Sequence, residues 1–416
     1  MKSLLLDIAP LRFSAKFRGL WIAGLVTGIS VQALNAALAW QVFQATGSSL
    51  HVGLLGVAIG LPTVLVALFG GVLADTRSPK TVGLIGVAGQ LAAIVLFLAA
   101  HFWWNSVPLP VVYAFLALNS AAGALAAPVR KQFLRVLLRP DLMPAAAALY
   151  LLAMHAGLIL GPLLAGFLLA NAVPLAVFCA LHLMFLLVYL LAFLVLPRVA
   201  ASERAAGSLL GAAAAGLKYV WREPVIRFSL LVDLMITAFA LPIVLLPQFV
   251  AEVLHADAAV YGFLLASVSA GGVVATVFSG VFTRARSTGR VLVLAAIVWL
   301  LSIALFSQSS VLWLAVCALF IMGACDTVAL AAQAAIVQVA AKESMLGRVG
   351  GLQMLVGMGG PQLGGARAGA FGVAFGPQLG ALLGVPLAAL AFVDVKGVKA
   401  VWQFQIPKPE VAASSV

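Results

Sequence analysis

The sequence is short of charge. Of its 416 residues only 9% are Asp, Glu, Lys or Arg, while 64% are hydrophobic. A soluble globular domain is roughly one quarter charged, and no soluble fold of this size hides so much apolar surface. A mean hydropathy of +1.18 excludes the same class. A bilayer is the solvent that suits this composition. Cysteine is scarce as well. Cys179, Cys317 and Cys325 lie inside apolar runs without paired spacing, which excludes a disulfide framework and leaves them as small packing residues. No Gly-x-x-x-x-Gly-Lys-[Ser/Thr] phosphate loop occurs, so the chain carries no ATPase of its own. Zinc spacings, a Gly-x-Ser-x-Gly elbow and carboxylates paired on one helix face are missing too. The expectation is a protein that is not an enzyme and that needs neither cofactor nor metal. The first apolar run has no small-residue cleavage site behind it, so it is expected to remain as a helix.

What the chain has in abundance is long apolar runs. A spanning helix needs about 20 such residues. Runs fall at 19–44, 50–74, 81–103, 108–129, 143–170, 173–197, 228–251, 258–283, 290–308, 310–337, 346–370 and 373–394. They predict an all-α membrane protein of twelve transmembrane helices. One junction, 198–227, is long, polar and alanine-rich, with an amphipathic second half (Leu209, Leu210, Leu217, Tyr219, Val220, Trp221). It divides the chain into a six-helix half (1–197), a linker (198–227), a second six-helix half (228–395) and a tail (396–416).

The net charge of +12 would point to nucleic acid in a soluble protein. Its distribution excludes that partner. Lys2, Arg12, Lys16 and Arg18 precede the first run, and basic residues recur after the second, fourth, sixth, eighth, tenth and twelfth. Turns after odd-numbered runs hold none. Thus 23 of the 24 basic residues fall on one side, and Arg367 alone lies inside a run. By the positive-inside rule both termini are cytoplasmic, in a bacterial inner membrane.

The halves repeat. At an offset of 209, Gly53 falls on Gly262, Gly71 on Gly280, Arg77 on Arg286 and Ser78 on Ser287. Duplicated six-helix units are a common transporter design, with substrate held near the midplane between them. After the second run comes Gly71-Val-Leu73-Ala74-Asp75-Thr-Arg77-Ser-Pro-Lys80. It resembles the signature loop of the major facilitator superfamily, although Thr76 and Pro79 stand where that signature has basic residues. The resemblance implies a conformational switch loop carried by Gly71, Asp75, Arg77 and Lys80, which holds two helices together in one state and frees them in another. In the fifth run, Gly157-Leu-Ile-Leu-Gly161-Pro162-Leu-Leu-Ala-Gly166 is similar to the antiporter motif of superfamily exporters, with Ala165 in place of a glycine. Its glycines allow close helix packing and Pro162 bends the helix. In the family this goes with export. Many proton-coupled members carry an Arg in the fourth span. Here that span reads Ala117-Leu118-Asn119-Ser120-Ala-Ala-Gly123, so no charged relay runs through it.

Ionisable residues inside spans are costly and mark functional candidates. Asp326, mid-way along the tenth run, could couple protons, bind a cationic group or act as structural partner of Arg367. Asp233 in the seventh run could instead reach the cytoplasmic interface. Arg367 could balance an acid or meet an anionic substrate. His155 and His182 are packing residues or relays. Neutral polar residues (Gln32, Asn35, Gln41, Gln90, Asn119, Gln333, Gln353, Gln362) either line a cavity or bond between helices. The stretch 347–384 holds 13 of the 39 glycines and packs closely.

Further stretches resemble the enterobactin, or siderophore, exporter branch of the superfamily. They are Phe17-Arg18-Gly-Leu-Trp21, Gln41-Val-Phe-Gln44, Ser48-Ser49-Leu50-x-Val52-Gly53-Leu54 and Met345-Leu346-Gly347-Arg348-Val349-x-Gly351-Leu352. The resemblance implies a secondary exporter that moves a siderophore, catecholate or hydroxamate such as alcaligin, to the periplasm in exchange for protons. The same stretches are shared by macrolide and multidrug exporters, which leaves drug efflux as the alternative. The expected partners are this small molecule, protons and the bilayer, and the expected state is a monomer.

Overall fold

The computed structural model describes residues 7–76, 78–104, 107–197, 209–283, 285 and 287–406. Among them the fold is helical throughout. The first six long helices are α1 (Ala15–Thr46), α2 (Ser49–Thr76), α3 (Pro79–Trp103), α4 (Leu109–Leu137), α5 (Met143–Ala170) and α6 (Leu175–Leu194). The linker supplies α7 (Leu209–Arg222). Then come α8 (Pro224–Phe239), α9 (Leu246–Glu252), α10 (Ala258–Val277), α11 (Thr288–Gln308), α12 (Leu312–Ala340), α13 (Leu346–Leu382), α14 (Gly384–Ala389) and α15 (Val395–Gln403).

Local chemistry sets several of these ends. Ser14 caps α1 by accepting from Phe17 N, and Gly47 closes it with φ at 63°, a left-handed turn that suits glycine. Ser78 caps α3, with Pro79 at its first position. Asp257 caps α10 through the amides of Ala259 and Val260. The seventh span is broken. Helix α8 stops at Phe239, Pro242 follows with no N–H to continue the ladder, and the chain resumes through a single 3-10 turn into α9.

Counting α8 and α9 together, ten described spans are long and apolar enough to cross a bilayer, and a bent pair involving α13 and α14 makes eleven. Helix α13 holds more than one pass. Gly376 within it has φ 78° and ψ 168°, a conformation open to glycine and placed just before Pro377. Across this point Arg367 Nη1 donates to Gly380 O at 3.3 Å. Thirteen residues of straight helix would separate those residues by about 20 Å, so the chain doubles back at Gly376. The expected run at 373–394 is therefore not one continuous helix. It returns through 377–382, α14 and a 3-10 turn at Leu390–Val393.

Large apolar side chains fill the interior of the bundle, Trp299, Phe97, Phe178, Phe228 and Phe306 among them, while others such as Phe167, Leu96 and Leu301 point outward to where lipid would lie. Lipid removes the hydrophobic drive between helices, so close approach through small residues decides the packing. The two halves meet along two seams, α2 against α13 and α5 against α10. At Gly53 an added Cβ would strike the backbone of Gly365, and at Gly369 that of Ser49 and Leu50. At Gly166 it would meet Ala258, Ala259 and Gly262, and at Gly262 it would strike Pro162 O. The paired glycines of the sequence repeat, Gly53 and Gly262, thus occupy matching places, one in each seam. All these contacts lie at the end of the bundle away from the basic loops. At the basic end, Gly347, Gly350, Gly351 and Gly357 of α13 have nothing within 4 Å of a would-be Cβ among the described residues.

Candidate functional site

A cavity of about 280 Å³ lies between the halves. Gln32 and Asn35 reach it from α1, Gly56 and Ile59 from α2, Pro162 from α5 and Tyr261 from α10. The break in the seventh span contributes Ile243 and Val244. Pro162 thus both bends α5 and lines the cavity. Tyr261 is 3% exposed and stacks on Trp40 with ring centroids 5.4 Å apart, tying the first half to the second.

A second space of about 250 Å³ extends into the first half and shares Asn35, Ile59 and Leu116 with the central cavity. Thr27, Thr63, Gln90, Asn119 and Ser120 line it, and none of its described lining residues is charged.

The second half holds the acids. Asp233 on α8 and Asp326 on α12 line one small cavity of about 20 Å³, beside Trp299 and Gln333. That is room for about one water. Gln333 Nε2 donates to Asp233 Oδ2 at 3.3 Å and to Ser229 O at 3.0 Å. Gln353 Nε2 donates to Gln333 Oε1 at 3.3 Å. A polar chain therefore links α13, α12 and α8 inside an apolar bundle. Asp326 does not pair with Arg367, contrary to one expectation from the sequence. Arg367 lies on α13 against the returning chain, donates to Gly380 O and stacks over Phe371 at 5.0 Å. Its Nε and Nη2 are buried without a partner among the described residues. Nor does Asp233 turn out to the interface, because Gln333 holds its carboxylate inside.

The antiporter-motif residues serve two contacts. Gly157 lies against the backbone of Gly28 and Gly161 against Gln32 and Ala33, so both press α5 onto α1. Gly166 presses α5 onto α10 in the seam between halves. Of the switch loop, Gly71 and Asp75 belong to the end of α2 with side chains outside the described set, and Arg77 is outside the described residues. Lys80 is placed: its Nζ donates to the carbonyls of Leu194 at 2.7 Å and Leu196 at 2.6 Å, at the C-terminus of α6. His182 is fully buried, with Nδ1 2.9 Å from Ser30 Oγ. His155 Nδ1 is buried without a partner among the described residues. Gln362 fills the groove that Gly56 and Gly60 leave on α2, which makes it a packing residue of the seam.

Two contacts escape sequence reasoning. Ser49 Oγ donates to Gln248 Oε1 at 2.7 Å across the halves, and Gln248 Nε2 donates to Glu252 Oε2 at 3.0 Å and Gly372 O at 3.3 Å. Arg227 grips Asp394 with two bonds, Nε to Oδ2 at 2.9 Å and Nη2 to Oδ1 at 2.7 Å. The partners are 199 and 167 residues apart, so no local signal announces them.

Known proteins sharpen this picture. The family model described as transmembrane secretion effector matches residues 6–415. Enterobactin exporter EntS of Shigella boydii serotype 18 is 26% identical over 428 residues, covering 99% of each chain. EntS of Escherichia coli strain SE11 is similar to the same degree and extent. Among solved structures, a point mutant of the nucleoside transporter NupG superposes with a TM-score of 0.76 at 16% identity, covering 92% of this chain and 99% of that one. A bacterial homologue of the iron transporter ferroportin, in its inward-facing state, gives 0.71 at 16% identity, with 92% and 98% covered. These likenesses establish a multi-pass transporter fold rather than an enzyme. The chain belongs to the transmembrane secretion effector family, the exporter type of the major facilitator superfamily.

Proposed function

We propose that this protein exports a siderophore from cytoplasm to periplasm in exchange for protons. One observation carries the reading: a cavity lies between two halves whose seams, among the described residues, bring their backbones together at the end away from the basic loops. Taking the basic loops as cytoplasmic, the molecule is open inward, ready to load a compound made inside the cell. Both termini are then cytoplasmic, in a bacterial inner membrane. Asp233 and Asp326 share a small cavity with no cation lining it. Carboxylates held inside a spanning bundle without a cation beside them are natural carriers of the coupling proton. The chain from Asp233 through Gln333 to Gln353 links that acid to α13, which forms one of the seams. Proton occupancy and the approach of the halves are thereby coupled. Similarity to enterobactin exporters supports a siderophore as the cargo.

The test uses a siderophore-producing bacterium that lacks its own exporter. Intact siderophore in medium and cells is measured by mass spectrometry, with catecholate and hydroxamate producers in parallel. Appearance of one siderophore in the medium only when this chain is expressed supports the reading. Failure of all, with rising efflux of macrolides or dyes, would replace it with general drug efflux.

A further inference from the structure

The space inside the first half has a chemistry of its own. It is a side lobe of the central cavity and has an uncharged polar lining. Its threonine and serine hydroxyls are already committed. Thr27 Oγ1 donates to Phe185 O at 3.1 Å, Thr63 Oγ1 to Ile59 O at 2.7 Å and Ser120 Oγ to Ala117 O at 3.2 Å. A hydroxyl has one proton and two lone pairs. With the proton spent on the backbone, each presents only acceptor capacity to the lobe. Asn119 differs. It is 5% exposed, and its Oδ1 has no partner among the described residues. A buried amide left unsatisfied is costly unless something supplies the missing bond. Gln90 presents its amide opposite Gly123, where even a methyl group would meet Nε2 at 3.1 Å. Small residues thus keep the lobe open around the two amides.

We infer that this lobe is a ligand subsite, in which Asn119 and Gln90 select an uncharged ligand group bearing O–H donors, as in a polyhydroxylated aromatic ring. The committed hydroxyls accept from the ligand, and the amides both donate and accept. An anionic group finds no cation among the described lining residues, and a purely apolar group leaves Asn119 unsatisfied. The subsite rests on the export reading only for which natural ligand enters it, since its binding chemistry can be measured separately.

The experiment is titration calorimetry on the detergent-purified full chain. The probes are N-benzyl-2,3-dihydroxybenzamide and its di-O-methyl ether, which keeps the shape and loses the O–H donors. Wild type should bind the catechol about tenfold more tightly than the ether, the scale of a buried hydrogen bond left unmade. Asn119→Ala and Gln90→Met should each bring that ratio toward one, the catechol losing more affinity than the ether, while a thermal midpoint close to wild type reports an intact fold. Equal affinity of wild type for the two probes overturns the proposal, and so does full discrimination surviving in both variants. If discrimination behaves as expected but no siderophore leaves cells in the export assay, the export reading falls and the subsite stands.

Discussion

Gly262→Ala isolates the seam between α5 and α10. The added Cβ would strike Pro162 O and lie 3.0 Å from Gly166 Cα. These are backbone atoms, so no side-chain rotation relieves the clash and the helices must part. Overpacking of this kind costs about 1–3 kcal/mol. The cost falls on the state in which α5 and α10 touch and is absent once they separate. At about 1.4 kcal/mol per tenfold, the ratio of this state to the alternate one falls roughly 5- to 150-fold. Spin labels at Asn171→Cys on the exit of α5 and Ala259→Cys on α10, in a chain freed of its three native cysteines, would read the separation by pulsed electron resonance. Gly262→Ala should add a longer distance population. Gly280→Ala should not, because its Cβ meets nothing within 4 Å. An unchanged distance distribution in Gly262→Ala would refute the view that this glycine permits the closed seam.

Asp326→Asn removes one of the two acids in the small cavity of the second half. Export should fall at least tenfold with membrane abundance unchanged, measured as proton-driven transport in oriented vesicles against an immunoblot. Wild-type rates would take Asp326 out of the mechanism. Ser49→Ala deletes the bond to Gln248 across the seam, worth about 1 kcal/mol. It should raise the alternate population about fivefold in the same resonance assay, and less than Gly262→Ala does. Arg227→Gln breaks both bonds to Asp394, whose side chain is 18% exposed and also caps α15 through Gly397 N. Leaving that carboxylate unpaired should cost about 2 kcal/mol and lower the thermal midpoint of the detergent-solubilised protein by several degrees. An unaltered melting curve would show the pair to be solvated and idle.

Much of the fold was legible in the chain because a bilayer imposes a simple rule. Each span must be about 20 apolar residues, and basic residues stay on one side. The first ten expected spans coincide with the ten spans described in the structure, the seventh of them broken at Pro242. The eleventh and twelfth were harder, since glycine is apolar in composition but does not hold a helix straight. The turn at Gly376 followed by Pro377 falls inside the run expected at 373–394 rather than at the boundary expected between 370 and 373. The antiporter motif was visible through Gly-Pro and its spacing. Its division of labour was not, because Gly157 and Gly166 look alike in sequence yet press on different helices.

The site was less legible. Sequence could name Asp233, Asp326 and Arg367 as costly residues in lipid, but not who faces whom. Pairing Asp326 with Arg367 is what charge balance alone would choose. The bundle instead turns Asp326 toward Asp233 and leaves the guanidinium to Gly380 and Phe371. The neutral polar residues divide in the same way: Asn35, Gln90 and Asn119 line cavities, Gln353 bridges helices, and Gln333 does both. By itself the sequence determined solvent, span and family, because these depend on composition and local spacing. Tertiary structure alone decided which polar groups meet, because a helix shows each residue to one neighbour only, and that choice depends on rotation and tilt set by packing across residues more than a hundred positions apart.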